Sequence, residues 1–152
     1  MGTPQPGIFA LGTRVHRHLE YRLEPGLDPE AMRAALRALF DSSVTVGGSN
    51  VVLGFGPDVW RRLHPGAVPA DLSPLPEVPG VPDTQCDVWV WVHGTGDDVL
   101  RDVTHELHRC LSEVAELTLE LHGFVYHDSR DLTGFVDGTE NPLGPAAFEA
   151  AL

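Results

Sequence analysis

The sequence contains no lysine, so its ten basic residues other than histidine are all arginines. They stand against 22 acidic residues and leave a formal net charge of −12. A chain so poor in cations lacks the basic surface that nucleic-acid phosphates require. It is equally unsuited to an anionic membrane surface. We therefore predict neither a nucleic-acid partner nor a membrane partner.

Cysteine and long apolar runs are scarce as well. Cys86 and Cys110 are the two cysteines, and neither belongs to a CxxC pair, which argues against a zinc finger or a thioredoxin-like motif. No apolar stretch approaches the ~20 residues of a membrane span. The first residues show no basic segment followed by an apolar run, so we expect no signal peptide and a cytoplasmic protein.

The apolar pattern predicts a single domain of alternating strands and helices. Its period of two indicates strands, and its period of 3.6 indicates helices, the first of them with Asp28 as N-cap. The predicted strands cover residues 14–23, 51–55, 86–93 and 117–126, and the predicted helices cover 29–40, 58–63 (brief) and 97–116. A proline-rich connection over 64–83 is interpreted as a long loop inside the domain.

This order, β-α-β-β-α-β, is typical of an α+β ferredoxin-like fold, an antiparallel sheet with two helices on one face. We expect each element to turn one side toward a common core. The residues expected together are Met32, Leu36, Leu39 and Phe40 on the first helix and Leu117, Leu119 and Leu121 on the last strand.

The third strand predicts an uncovered apolar face. Val88, Val90 and Val92 should face the helices, which points Trp89 and Trp91 to the opposite side. An apolar patch of this kind usually marks an interface. Either the proline-rich connection folds over it, or a second domain or another subunit covers it.

The motif with chemical content follows the last strand, over residues 126–142. It is a turn-forming loop rich in carboxylates, in which Gly134 and Gly138 allow unusual backbone dihedrals around Asp137. Loops at strand ends often carry function. Taken alone, however, an aspartate between glycines would equally suit a structural turn.

The segment Gly134-Phe135-Val136-Asp137-Gly138 resembles the GxxDG motif of the dye-decolorizing (DyP-type) haem peroxidase family. The flanking segments 130–133 and 139–142 are similar to that family too. The predicted element order agrees with the first of the two ferredoxin-like domains of these enzymes. The resemblance implies that residues 1–152 form one N-terminal domain that ends just after the GxxDG loop. The haem-ligating C-terminal domain would then lie outside the chain.

The resemblance also implies a reaction. In this family haem b is held by a proximal histidine of the second domain, and the GxxDG loop reaches over the distal side. Asp137 would be the distal acid–base residue, moving a proton between the two oxygens of hydrogen peroxide while dyes or phenols serve as organic reductants. Motif position implies cofactor contacts for the next four residues, which are Gly138, Thr139, Glu140 and Asn141.

None of the eight histidines matches the family's proximal ligand, and its distal arginine also belongs to the second half. We therefore expect the chain alone to be inactive and its partner to be the C-terminal half or another subunit, bound through the Trp89/Trp91 face. The segment from His105 to His108 is one residue short of an HExxH zinc motif, so we predict no metal site.

Two other functions fit the same sequence. A stand-alone ferredoxin-like module could dimerise or bind a partner through the open sheet face without catalysis, with two copies pairing about a twofold axis through Trp89 and Trp91. The chain could also be a haem-handling protein, in which a homodimer supplies its own axial ligand.

Overall fold

Four strands pair into one antiparallel sheet in the order β2-β3-β1-β4. The computed structural model describes residues 3–43, 48–66, 78–81, 85–136 and 140–151. The strands are β1 (Val15–Leu23), β2 (Ser49–Phe55), β3 (Val88–Gly94) and β4 (Ala115–Phe124). The helices are α1 (Pro29–Ser42), α2 (Pro57–Leu63), α3 (Asp97–Leu111) and α4 (Pro145–Ala150), and a 3₁₀ turn (Pro6–Phe9) precedes β1.

Local signals place the two long helices. The Asp28 carboxylate accepts hydrogen bonds from the amides of Glu30 and Ala31, both at 3.0 Å, and caps α1 as predicted. Two aspartates, Asp97 and Asp98, occupy the first turn of α3, where the helix dipole favours negative charge. Both helices bury their apolar stripes against the same face of the sheet, which confirms the ferredoxin-like fold.

β3 supplies the centre of the core. Val88, Val90 and Val92 are at most 1% exposed, and they meet the buried helix residues and the inward side of β1. Trp89 and Trp91 alternate with them and are only half-buried on the other face. The predicted orientation of this strand is therefore confirmed.

Some predicted boundaries were wrong. α3 ends at Leu111 and not near residue 116, because the Val114 amide donates to the Leu111 carbonyl at 2.9 Å and turns the chain. β4 consequently begins at Ala115, which pairs with Leu23. Phe40 was expected in the core but is 58% exposed on α1.

A β-bulge corrects the predicted face of the last strand. The register of β4 shifts opposite Glu20 and Tyr21, so Leu117 pairs with Tyr21 while Leu119 pairs with Glu20. Paired residues share a face, so Leu117 joins the core and Leu119 and Leu121 lie on the open face. The three leucines do not share one side.

The two edge strands of the sheet have different neighbours. The side-chain amide of Gln5 donates to the Leu53 carbonyl at 2.7 Å and accepts from the Leu53 amide at 2.8 Å, so it covers the edge of β2 as a strand neighbour would. β4 forms the opposite edge and runs directly into the motif loop. Both cysteines are free thiols. In the described ranges, no helix has the length and apolarity needed to cross a bilayer.

Replacement of Leu39 tests the core assignment. Leu39 is fully buried on α1, so Leu39→Ala should lower the free energy of unfolding by about 2–5 kcal/mol in urea denaturation. The neighbouring Phe40→Ala is the matched control and should change it by less than about 0.5 kcal/mol, because most of that ring is already exposed. Equal losses for the two variants would contradict the assignment.

Candidate functional site

The loop that carries the motif begins where β4 ends. The Val125 amide donates to the Arg14 carbonyl at 2.9 Å, which fixes the start of the loop to the residue before β1. Two isolated bridges, Tyr126 with Arg130 and Arg130 with Val136, then fold the segment back on itself. The loop therefore leaves the sheet at the end where His16 of β1 pairs with His93 of β3.

The turn at the start of the loop is backbone-strained. His127 and Ser129 adopt positive φ values of 45° and 69°, a region that residues other than glycine rarely enter. Such conformations persist where surrounding contacts enforce them, and they often occur at functional sites. Arg130 closes this turn, because its amide donates to the Tyr126 carbonyl at 3.1 Å.

Arg130 clamps the loop from within. Its Nε and Nη2 donate to the two carboxylate oxygens of Asp128 at 2.7 and 3.1 Å. Its Nη1 donates to the Gly134 carbonyl at 2.9 Å. Paired donation to one carboxylate is geometrically specific, so a single side chain joins the strained turn to the first glycine of the motif.

Asp131 organises the residues that immediately precede Asp137. Its Oδ1 accepts from the Thr133 amide at 2.8 Å, the Thr133 hydroxyl at 2.6 Å and the Phe135 amide at 3.2 Å. Its backbone amide donates to the Phe135 carbonyl, and its carbonyl accepts from the Gly134 amide. The chain just before Asp137 is thus held by hydrogen bonds to one residue.

Both clamping carboxyls are stabilised as anions. The Arg130 side chain, which donates to Asp128, lowers the pKa of that carboxyl. The hydrogen bond from the Thr133 hydroxyl, supported by the backbone amides, lowers the pKa of Asp131. The hydrogen bonds that hold the loop are therefore kept at neutral and mildly acidic pH.

The predicted site residues follow the clamp in the sequence. Asp137, Gly138 and Thr139 lie outside the described residues, so their roles stay predictions. Glu140 and Asn141 are exposed, and neither side chain forms a hydrogen bond with a described residue. Pro145 opens α4 immediately afterwards, and Phe148 of α4 stacks on Phe9 of the 3₁₀ turn with ring centroids 4.0 Å apart.

Sequence reasoning did not identify the structural roles of Arg130 and Asp131, which entered only as part of the family resemblance. A signal was present for Asp131: an aspartate two residues before a threonine and three before a glycine is typical of a side-chain-closed turn. For Arg130 no local pattern indicates that its guanidinium would bind Asp128 and the Gly134 carbonyl.

The loop presents apolar side chains outward. Leu132, Phe135 and Leu143 are between 68% and 78% exposed. Exposed apolar groups in this number, beside a candidate catalytic aspartate, indicate a surface that a partner would cover. Among the described residues, Leu119 and Leu121 extend this apolar surface onto the sheet face opposite the helices.

The sheet face itself carries a cluster of stacked rings, which we call the imidazole–indole cluster. Trp91 lies at its centre, with its ring centroid 4.0 Å from that of His93 and about 6 Å from those of the other members. The Trp91 indole N–H also donates to Nδ1 of His16 at 3.2 Å. The members are His16, His18, Trp89, Trp91 and His93.

Two of the three histidines of the cluster are engaged or enclosed within it. His93 is fully buried, and Trp91 is stacked against its ring, so no porphyrin face could approach it. His16 uses Nδ1 to accept from Trp91. The burial of His93 and the hydrogen bond at His16 make these two rings poor candidates for a haem ligand.

The histidines on the helix side have other partners or are exposed. Nδ1 of His108 lies 3.3 Å from the Tyr21 hydroxyl, His122 contacts Asp97 at 3.4 Å, and His105 is exposed. Among the described residues, no three histidine, cysteine or acidic side chains form a group that could hold a metal ion. A hollow of about 620 Å³ between α3 and β4 lies on this side, away from the open sheet face.

Comparison with known proteins identifies this ferredoxin-like domain as the N-terminal domain of a peroxidase family. The profile described as "Dyp-type peroxidase, N-terminal" matches residues 28–125. A dye-decolorizing peroxidase of Rhodococcus erythropolis is 40% identical over 111 residues, which cover 70% of this chain and 33% of the relative. The chain belongs to the DyP-type peroxidase family.

Solved structures agree over nearly the whole chain. A putative DyP-type peroxidase of Shewanella oneidensis superposes with a TM-score of 0.79 at 30% identity, covering 98% of this chain and 52% of that one. A variant of Rhodococcus jostii DypB in complex with heme gives 0.77 at 28% identity, with 95% and 50% covered. The chain thus spans about a third of the curated relative and about half of the solved chains.

Removal of the Asp131 carboxylate should loosen the loop selectively. In Asp131→Ala the Thr133 and Phe135 amides lose their acceptor, so their hydrogen exchange, followed by NMR, should accelerate several-fold while the Val90 amide is unchanged.

In the wild type this protection should be complete above pH 3.8 and decline as the pH falls through the lowered pKa of Asp131. Asp41→Ala, an exposed carboxylate at the end of α1, is the control and should leave both amides protected. Equal exchange in the two variants would show that Asp131 does not hold the loop.

Proposed function

We propose that this chain is the distal half of a haem peroxidase, in which Asp137 moves a proton of hydrogen peroxide. The observation that carries the proposal is the clamp formed by Arg130 and Asp131, which holds the chain immediately before Asp137. Family membership supplies the reaction class, and the heme-bound structure of a relative supports haem as the cofactor. The fold alone would support many other functions.

The other two aspartates of the loop already have structural roles. Asp128 is paired with Arg130, and Asp131 accepts three hydrogen bonds, so both are occupied in holding the loop. A general acid–base residue must instead reach the reacting oxygens and change its protonation state. Asp137 is the remaining aspartate of the loop, and its place in the GxxDG motif supports this role.

The chemistry divides between the two halves. Haem b, held through a histidine of the second half, supplies the oxidising chemistry when bound. The residues of this chain position peroxide and move its proton: Asp137 takes it from one oxygen and returns it to the departing one. We place Gly138, Thr139, Glu140 and Asn141 along the cofactor edge, and we propose dyes or phenols as the reductants.

The second half is the proposed partner of the open face. Its docking would cover the imidazole–indole cluster, Leu121 and the exposed loop side chains Leu132 and Phe135. Excluding water there strengthens the electrostatic interactions of Asp137. This accounts for the expected inactivity of the chain alone, and we place the assembled enzyme in the cytoplasm.

Substitution of Asp137 tests the assignment. In the enzyme completed by its second half, Asp137→Asn should lower peroxide-dependent dye oxidation by roughly 10²–10⁴-fold, the usual contribution of a general acid–base residue. Stopped-flow rates of the reaction with peroxide measure the step directly. Asp41→Asn, on the remote end of α1, should leave the rate unchanged.

Haem binding separates loss of chemistry from loss of the cofactor. The Soret band of the completed Asp137→Asn enzyme should match the wild type, while the 152-residue chain titrated alone should bind no stoichiometric haem. Full activity in Asp137→Asn would contradict the catalytic role. Tight haem binding by the chain alone would contradict the assignment of the axial ligand to the second half.

A non-catalytic module that dimerises through its open face is the second candidate. The observation that favours it is the exposure of Leu119 and Leu121, at 36% and 53%, beside the half-buried tryptophans. Two copies placed face to face would bury these side chains around a twofold axis.

A charge on the open face should distinguish these functions. If two copies pair through the face, Leu121→Glu should convert a dimer into a monomer in light-scattering measurements, because it would bury an unpaired carboxylate. Phe40→Glu, similarly exposed on α1, should leave the mass unchanged. A wild-type chain that is monomeric at high concentration would eliminate the dimer and leave the face to the second half.

A further inference from the structure

The 3₁₀ turn near the N-terminus is fastened along the outer edge of β2. Gln5 holds one end through its two hydrogen bonds to Leu53. Gly7 lies so close to the strand that an added Cβ would stand 2.6 Å from the Val51 carbonyl oxygen and 2.9 Å from a Val52 methyl carbon. A side chain at this position would push the turn off the sheet.

The other end of the turn holds α4. Phe9 stacks on Phe148 with an interplanar angle of 20°. No residue of α4 is buried, Ala147 is partly exposed and Phe148 itself is 48% exposed. Among the described residues, the stack on Phe9 is the ring contact that ties α4 to the turn. The turn therefore connects the edge of the sheet to the helix that follows the motif loop.

His93 is buried where the turn meets the sheet. Its ring is 0% exposed, and neither nitrogen has a hydrogen-bond partner among the described residues. Desolvation by burial lowers the pKa of this ring and outweighs the Gly7 backbone, which alone would raise it. A buried imidazole without an acceptor is tolerated when neutral and strongly disfavoured when charged.

His16 is also held in its neutral form. Its Nδ1 accepts the indole N–H of Trp91, and a proton on Nδ1 would remove that hydrogen bond. Its ring lies 5.8 Å from that of His93, so two positive charges would repel each other. The structure is thus built around uncharged imidazoles.

Few charged groups near the cluster could stabilise a protonated imidazole. β1 brings His16, His18 and the more distant Glu20, whose carboxylate acts on His18. β2 contributes Asn50 and Val52, β4 contributes leucines and Gly123, and the turn has no titratable side chain. α4 carries Glu149, which forms no ion pair with a described residue.

We propose that the imidazole–indole cluster and the N-terminal 3₁₀ turn form an acid-opened latch, which holds α4 against the sheet while the imidazoles are neutral and releases it when they take up protons. The proposal rests on contacts within this chain and does not depend on the peroxidase function. If that function holds, the latch regulates how firmly the segment after Asp137 is held.

The direction of the pH effect follows from burial. Desolvation lowers the pKa of His93 and of His16 from the ordinary value of 6.5 in the closed state. An opened latch would restore values near 6.5, so the open state binds more protons. Closure is therefore complete above pH 6.5, and the open population rises as the pH falls below it. Between pH 7 and pH 5 the opening constant should rise by at most about 25-fold for each linked imidazole.

Hydrogen exchange of the 152-residue chain tests the latch. The Leu53 and Ala10 amides, which bond to Gln5 and Gly7, should lose protection between pH 7 and pH 5 after correction for intrinsic exchange. The Val90 amide in the central strand should stay protected, which separates local opening from unfolding.

Variants identify the groups responsible. His93→Gln should flatten the pH dependence of exchange. If this buried substitution prevents folding, His16→Gln takes its place and should flatten the pH dependence in part. His105→Gln, an exposed histidine on α3, is the matched control and should behave as the wild type. Gln5→Ala should leave the turn open at every pH. A wild-type profile that is flat from pH 7 to pH 5, or unchanged in both cluster variants, would overturn the proposal.

Discussion

The structure depends on a sheet that helices cover on one face only. This constraint is clearest in β3, because its valines are buried under α1 and α3 while Trp89 and Trp91 lie on the opposite face of the sheet. A strand that is apolar on both sides is stable only between two layers. Among the described residues, stacked rings and one short turn stand in place of a second layer, and this open face is where we propose docking and regulation.

The segments that bear on function are attached to the sheet by a few local contacts. Arg130 and Asp131 hold the motif loop with polar groups, Gln5 fastens the 3₁₀ turn, and Phe9 holds α4. None of these contacts belongs to the hydrophobic core around Val90 and Leu107. The core can therefore stay folded while the loop and the turn change, which is the usual arrangement where a site must adapt to a partner.

The periodicity of apolar residues predicted the elements that bury a regular apolar face. It failed where one extra residue changes which face the following side chains occupy. Alternating leucines on β4 placed Leu117 with Leu119, but a bulge in the strand separates them, and no local sequence signal marks a bulge without a glycine. Phe40 follows the helical stripe and is nonetheless exposed at its margin. The 3₁₀ turn and α4 are too short for any period to emerge.

The candidate site shows the same division between local and distant information. A glycine–aspartate motif can be recognised in sequence. The clamp that holds the chain before the aspartate depends on Arg130 reaching across the loop to the Gly134 carbonyl. A clamp made of exposed ion pairs and hydrogen bonds is weak in water and gains strength when water is excluded. The exposed Leu132 and Phe135 supply the apolar surface that would drive such exclusion. Docking of a second half would thus stabilise the loop and create the dry environment that proton transfer at Asp137 requires, so assembly and activation would be one event.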